Sequence, residues 1–407
     1  MFSVTTIFIL LFEFISFFPE PVQGQYAFWV RAFLAVFLLI LTLNMRGFRY
    51  LFSLRDWPLW VFLLSMCTGM ARGIDKTVAV RSYFYIVATF FLIFYIGKIF
   101  VNEKRYENIA VIIATCSLLV AIIGIMEIYF GRNIIYKNFI DNPFYERYIG
   151  DRAMSTQLNP VALGSYFLGC LPFSFYLIKN NSACLRLLAI FSLVLSAAVT
   201  LLTFSRGVFL GLVALILFYL WKSKRNGLFA FFLCFSVLLV TVCSYQKNPN
   251  LRRIGFTGLV LGSYDSIISP YRLTRVKMAF KILKDYPFFG IGFNHFRIRF
   301  DEYYPEESRG REAYEFRIPD NMYLTFLAET GLIGTSGFLV FIFFLFKRGC
   351  KRISKIINND KRHFLIISMS ALIGLLVNMG AYELFYWHNP YMFFCLLCSF
   401  VGLDEKS

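Results

Sequence analysis

The sequence predicts an all-α integral membrane protein with about twelve transmembrane helices, and a long outer loop with amphipathic helix between spans nine and ten. Three observations carry this prediction. Hydrophobic residues make up 58% of the 407 and charged residues only 16%, well under the near-quarter charged share of soluble domains. The apolar residues fall in runs of roughly 17–25, the length that crosses about 30 Å of hydrocarbon. Fifty Phe and 24 Tyr suit lipid-facing surfaces and the aromatic belts at both interfaces. A soluble enzyme is excluded.

In chain order the runs lie near 1–18, 26–43, 57–70, 82–99, 107–130, 157–178, 184–203, 207–221, 227–245, 321–346, 364–380 and 384–402. The run at 57–70 is the shortest. The first lacks a basic n-region and a small-residue cleavage site and is interrupted by Glu13, so it reads as a retained span rather than a signal peptide. Three blocks follow: 1–245 with spans one to nine, the outer loop 246–320, and 321–407 with spans ten to twelve and a tail.

The net charge of +17 is spread over many short loops rather than gathered on one domain, which argues against nucleic acid as a partner. With the N-terminus inside, the inner loops and tail hold 19 Lys and Arg and the short outer loops eight. That asymmetry is the positive-inside pattern and puts both termini in the cytoplasm. The long loop 246–320 then lies outside despite its 13 Lys and Arg, because long loops translocate largely regardless of charge. The nine cysteines show no disulfide framework, and Cys395-x-x-Cys398 lacks a second ligand pair for a metal.

Ionisable residues near the outer ends of the spans are the candidates for chemistry. Thr203–Gly207, TFSRG, places Arg206 at membrane depth, where a charge is costly and marks function unless it merely snorkels. Tyr271–Lys284 repeats Leu273, Val276, Phe280 and Leu283 at helical spacing, an amphipathic helix on the membrane surface. Arg272 falls within that stripe and Arg275 beside it, and an arginine on the buried side needs an anion. Two glycines in Phe288–Phe296, FFGIGFNHF, allow a tight approach to backbone or ligand. In Pro319–Gly334, PDNMYLTFLAETGLIG, Asp320 or Asn321 stands at a helix N-terminus, where Asp320 serves as an N-cap whether or not it is catalytic. Glu329 falls about two turns into that span, to be protonated or hydrogen-bonded there.

These motifs in this order resemble the O-antigen ligase and O-antigen polymerase superfamily. The resemblance rests on Asp151-Arg152 followed by Asn159-Pro160-Val161-Ala162, on TFSRG, on Arg272 fifteen residues before PFFGIG at 287–292, and on DNMYLTFLAETGLIG at 320–334. It implies a metal- and cofactor-independent glycosyltransferase that uses an undecaprenyl-diphosphate-linked glycan at the periplasmic face of the bacterial inner membrane. The acceptor it implies is lipid A core or another lipid-linked glycan, in lipopolysaccharide or other surface polysaccharide synthesis, beside membrane lipids and polysaccharide assembly partners. Arg206 and Arg272 would hold the diphosphate, since guanidinium forks match phosphate oxygens; Arg275, Arg152 and Asn321 are further binding candidates. Characterised members commonly carry a histidine immediately before the asparagine that opens the tenth span, where this chain has Asp320. A carboxylate there still serves as general base, with His295 the runner-up and His388 the third choice. A lipid-linked-glycan flippase and a non-catalytic scaffold of a polysaccharide assembly complex are the alternatives. A flippase would show glycine- or proline-broken spans in paired positions, and the sequence shows few.

Overall fold

The computed structural model describes residues 56–91, 93–94, 106–132, 152–180, 182–244, 270–305 and 317–402. The predicted spans 1–18 and 26–43, Asp151, and the outer-loop stretches 246–269 and 306–316 lie outside the described residues. Helices in order are α1 Trp57–Arg72, α2 Lys76–Tyr83, α3 Tyr106–Phe130, α4 Pro160–Leu177, α5 Ala183–Leu202 and α6 Arg206–Lys222. They continue as α7 Asn226–Ser244, α8 Pro270–Asp285, α9 Phe300–Tyr303, α10 Met322–Lys355, α11 Asn359–Asn378 and α12 His388–Gly402. No strand occurs among the described residues. By length and composition five helices there can cross a membrane: α3, α4, α5, α10, and α11 with its extension to Ala381.

Local sequence explains the helix starts. Asn159 accepts hydrogen bonds from the amides of Val161 and Ala162, and Pro160 fills the first position of α4, where its missing N–H costs nothing. Asp75 caps α2 in the same way through Thr77 and Val78. α4 is the central helix, buried along almost its whole length and packed against α3, α5, α11 and α12. Small residues let the backbones close: a Cβ on Gly164 would meet Val208 of α6 at 2.5 Å, and one on Gly211 would meet the Gly374 carbonyl of α11 at 2.6 Å. Close approach of this kind drives helix association where apolar burial gives no advantage over lipid. Within the same core, Phe62, Phe90, Phe338, Phe341, Phe385 and Phe394 join α1, residues 84–91 after α2, α10 and the start of α12.

One end of the bundle gathers the start of α10, the end of α11 and the start of α6. There Asn321 Nδ2 donates to the Gly380 carbonyl at 2.8 Å, and Arg152 Nε donates to the Thr203 carbonyl at 2.7 Å. The opposite end carries the connections α4–α5, α6–α7 and α10–α11, with Lys179, Lys222, Arg225, Lys351, Lys355 and Arg362.

α10 is broken inside. Gly331 has φ 63° and ψ −164°, which detaches the helix before it from the helix after it. The backbone groups freed by the break are taken up by Pro287–Gly292. The amides of Ile291 and Gly292 donate to the carbonyls of Ala328 and Glu329 at 3.0 and 2.9 Å, and those of Leu332 and Ile333 donate to the carbonyls of Pro287 and Phe288 at 2.8 and 3.2 Å. PFFGIG and ETGLIG thus form a short backbone zipper, so irregular backbone is buried in protein as the bilayer requires. Neither glycine tolerates a side chain: a Cβ on Gly290 would stand 2.4 Å from the Glu329 carbonyl carbon, and one on Gly331 2.5 Å from that of Phe288.

Gly331→Ala is therefore expected to destabilise the purified protein by about 1–3 kcal/mol or more, since both the positive φ and the contact oppose a methyl. Gly227→Ala, where a Cβ meets nothing within 4 Å, is the neutral control. Equal melting temperatures for the two variants would remove the zipper from this account.

Candidate active site

The candidate site is assembled around α8, the zipper and the start of α10. α8 presents Arg275, Met278, Ala279 and Ile282 inward, all buried. The latter three pack with Ile291, Phe296, Phe300, Tyr304 and Ala328 in a small core of their own. The stripe Leu273, Val276, Phe280 and Leu283 is not the side packed on this core, and Leu273 and Phe280 are exposed. The protein takes the neighbouring face, whose i, i+3, i+4, i+7 spacing also holds an arginine.

That arginine meets Asp320. Arg275 is 3% exposed and its Nη1 forms an ion pair with Asp320 Oδ2, while the Asp320 side chain keeps about a third of its surface open. Asp320 has φ 55°, a left-handed conformation that Asp and Asn accept more readily than other side chains. It is not the N-cap of α10. Asn321 is, accepting from the amides of Tyr323 and Leu324 at 3.0 and 3.1 Å. The cap and the ion pair thus fall to adjacent residues, which frees the Asp320 carboxylate from the capping role.

Beside this pair lies Glu383, buried between α11 and α12, which the sequence reading did not single out. Burial raises its pKa well above the ordinary carboxylate value; the nearby Asp320 raises it further, the Thr325 hydroxyl opposes, Glu329 raises, and Arg275 opposes. Thr325 Oγ1 lies 2.9 Å from the Asn321 carbonyl and 2.9 Å from Glu383 Oε1, so its one proton is shared between the two acceptors.

Glu329 and His295 serve the scaffold. Glu329 is buried and accepts from the Phe296 amide at 3.1 Å and from the Tyr386 hydroxyl, whose oxygen in turn accepts from the Asn294 amide at 3.1 Å. His295 is fully buried; its Nδ1 stands 2.6 Å from the Phe293 carbonyl and its Nε2 accepts from the Asp75 amide at 3.1 Å. Those contacts fix the Nδ1–H tautomer and occupy both ring nitrogens. His295 thereby pins the α1–α2 turn to the zipper loop. His388 Nδ1 lies 2.5 Å from the Tyr85 hydroxyl, and Asn389 beside it donates to Gln157 at 2.7 Å.

Arg206 opens α6 at the same end, half-buried, two residues after Phe204, which has φ 44°. A Cβ on the following Gly207 would meet Asn378 Oδ1 and Ala381 at 2.6 and 2.7 Å, so α6 starts against the segment that binds Asn321. Arg272 lies in the first turn of α8, and its side chain falls outside the described part. Cys395 and Cys398 lie buried in α12.

Fold and site together define a helical membrane protein with a buried ionic cluster at one end. Residues 191–339 match the family model described as O-antigen ligase, so the resemblance to the O-antigen ligase and polymerase superfamily holds over the segment from α5 through the break in α10. No curated protein matches the chain.

The state of Glu383 is testable by pH. A carboxyl with a folded pKa above its unfolded value keeps a proton that the unfolded chain has lost, so its contribution to stability is full below the ordinary carboxylate range and falls as pH rises toward the folded value. Between about pH 5 and pH 8, wild-type melting temperature is expected to decline more steeply than that of Glu383→Gln, which mimics the neutral acid. Parallel profiles would mean that Glu383 is ionised in the fold.

Proposed function

We propose that the chain is a membrane glycosyltransferase of the O-antigen ligase or polymerase type, acting on an undecaprenyl-diphosphate-linked glycan at the periplasmic face of the inner membrane. The observation that carries this reading is the buried Arg275–Asp320 pair, which sits where the segments bearing the family motifs meet. The end rich in Lys and Arg faces the cytoplasm, following the positive-inside pattern, and the paired end faces out. The reading includes twelve spans and an outer loop at 246–320.

In the proposed reaction an acceptor hydroxyl attacks the anomeric carbon of the donor glycan. The bond from that carbon to the diphosphate oxygen breaks, its electron pair leaves with the lipid diphosphate, and the hydroxyl proton passes to Asp320. Arg275 orients the carboxylate and balances its charge. Asn321 fixes the register by capping α10 and binding the Gly380 carbonyl. Arg206 and Arg272 hold the diphosphate and stabilise the charge that develops as it departs, while Arg152 braces the turn before Arg206 through Thr203. The acceptor is lipid A core or a second lipid-linked glycan, and neither metal nor nucleotide sugar is required.

Asparagine accepts the left-handed backbone of position 320 as readily as aspartate but takes no proton, so Asp320→Asn is expected to insert, fold and bind donor while transfer falls by about 100-fold or more. Transfer at the wild-type rate by Asp320→Asn present at wild-type level excludes this base. Retained transfer by Asp320→His would support it.

Arg206→Lys and Arg272→Lys are expected to stay impaired in a complementation assay, because a point charge loses the bidentate fork. Full glycan transfer by both Arg206→Ala and Arg272→Ala would overturn the assignment of these two residues to the donor diphosphate.

A further inference from the structure

At the end opposite the candidate active site, α5 and α6 part. α5 packs on α3 and α4, whereas α6 packs on α11, α4 and α7, and the two helices diverge from the turn Thr203–Ser205 that joins them. Their divergence leaves a cavity of about 370 Å³, within the range of about 300–1,000 Å³ typical of small-molecule sites. Leu193 and Ala197 of α5, Leu212 and Ile216 of α6, Leu171 of α4 and Ile367 of α11 form its walls. Its polar contributions come from Ser370, whose hydroxyl is spent on the Ile366 carbonyl, and from Tyr219 and Arg225.

Charge gathers beside these two. Tyr219 Oη lies 3.2 Å from His363 Nε2, and Lys179 and Arg225 both act electrostatically on that ring, opposed by Asp360. The exposed Arg225 is held in place by its backbone, its amide donating to the Leu220 carbonyl at 3.1 Å and its carbonyl accepting from the Phe229 amide at 2.9 Å. The wedge therefore combines an apolar slot with the exposed Arg225 and Lys179 at one helix end.

We propose that this wedge binds an anionic glycerophospholipid of the surrounding bilayer, with one acyl chain between α5 and α6 and the phosphate on Arg225 and Lys179. An apolar chain fills a slot lined by Leu and Ile as the protein's own side chains fill the rest of the bundle, and the guanidinium matches phosphate oxygens. The site is separate from the proposed donor site, since Arg206 and Arg225 bracket α6, whose 17 residues span about 25 Å at about 1.5 Å per residue.

The test uses the full chain, delipidated in detergent, with phosphatidylglycerol, phosphatidylcholine and undecaprenyl phosphate added in turn, and reads bound lipid by native mass spectrometry and melting temperature. Phosphatidylglycerol is expected to bind and raise the melting temperature above the phosphatidylcholine value. Arg225→Gln, on an exposed turn, is expected to weaken that binding about tenfold, the loss of one charge-assisted hydrogen bond. Ala197→Phe, which fills the slot, is expected to abolish it. Equal response to both glycerophospholipids, response to undecaprenyl phosphate alone, no response because another segment of the chain occupies the wedge, or undiminished binding in Arg225→Gln would each overturn the proposal.

Discussion

The break in α10 is the constraint on which the candidate site depends. A helix interrupted at membrane depth frees backbone donors and acceptors that lipid cannot satisfy, each at a cost of several kcal/mol. Pro287–Gly292 meets that demand with four backbone hydrogen bonds. Once the zipper forms, the loop that follows is fixed: Glu329 holds Phe296, Tyr386 holds Asn294, and His295 reaches Asp75. The loop before it is fixed as well, because α8 ends at Asp285 and must dock its Met278, Ala279 and Ile282 face on α10. Arg275 is carried to Asp320 by that docking.

The electrostatics follow from the same geometry. A buried arginine requires an anion, and leaving one partner of a buried pair alone costs several kcal/mol. Asp320 supplies the charge, and burial together with the Asp320 charge pushes the pKa of Glu383 upward, as expected of two carboxyl groups near one guanidinium in a low-dielectric setting. One carboxyl group is thus ion-paired and partly open while its neighbour is closed in. Division of roles between paired carboxyl groups is a recurring basis of acid–base chemistry.

The helical class was legible because bilayer thickness imposes run lengths that composition reveals directly, and the runs at 107–130, 157–178, 184–203, 321–346 and 364–380 coincide with helices able to span. The motif segments were legible too, since TFSRG, PFFGIG and ETGLIG are local strings. Their pairing was not: the zipper joins residues about forty positions apart through backbone atoms, which carry no side-chain signature. The inward face of α8 was not assigned from the sequence, because lipid and protein compete for an apolar stripe on a surface helix and the more hydrophobic side need not face the protein. The signal for the correct face was present in the spacing of Arg275, Met278, Ala279 and Ile282. Asp320 and Asn321 are both good caps, and only the backbone turn at Asp320 decides between them. Glu383 was hidden in the apolar context of AYELFYW.

The central claim is that the paired end of the bundle receives the lipid diphosphate. A structure of the full chain with undecaprenyl diphosphate bound tests it most directly. The account predicts the diphosphate within hydrogen-bond distance of the Arg206 guanidinium, at the end where Asp320 is exposed. A diphosphate seated instead among Lys179, Arg225 and Arg362 at the opposite end would contradict it.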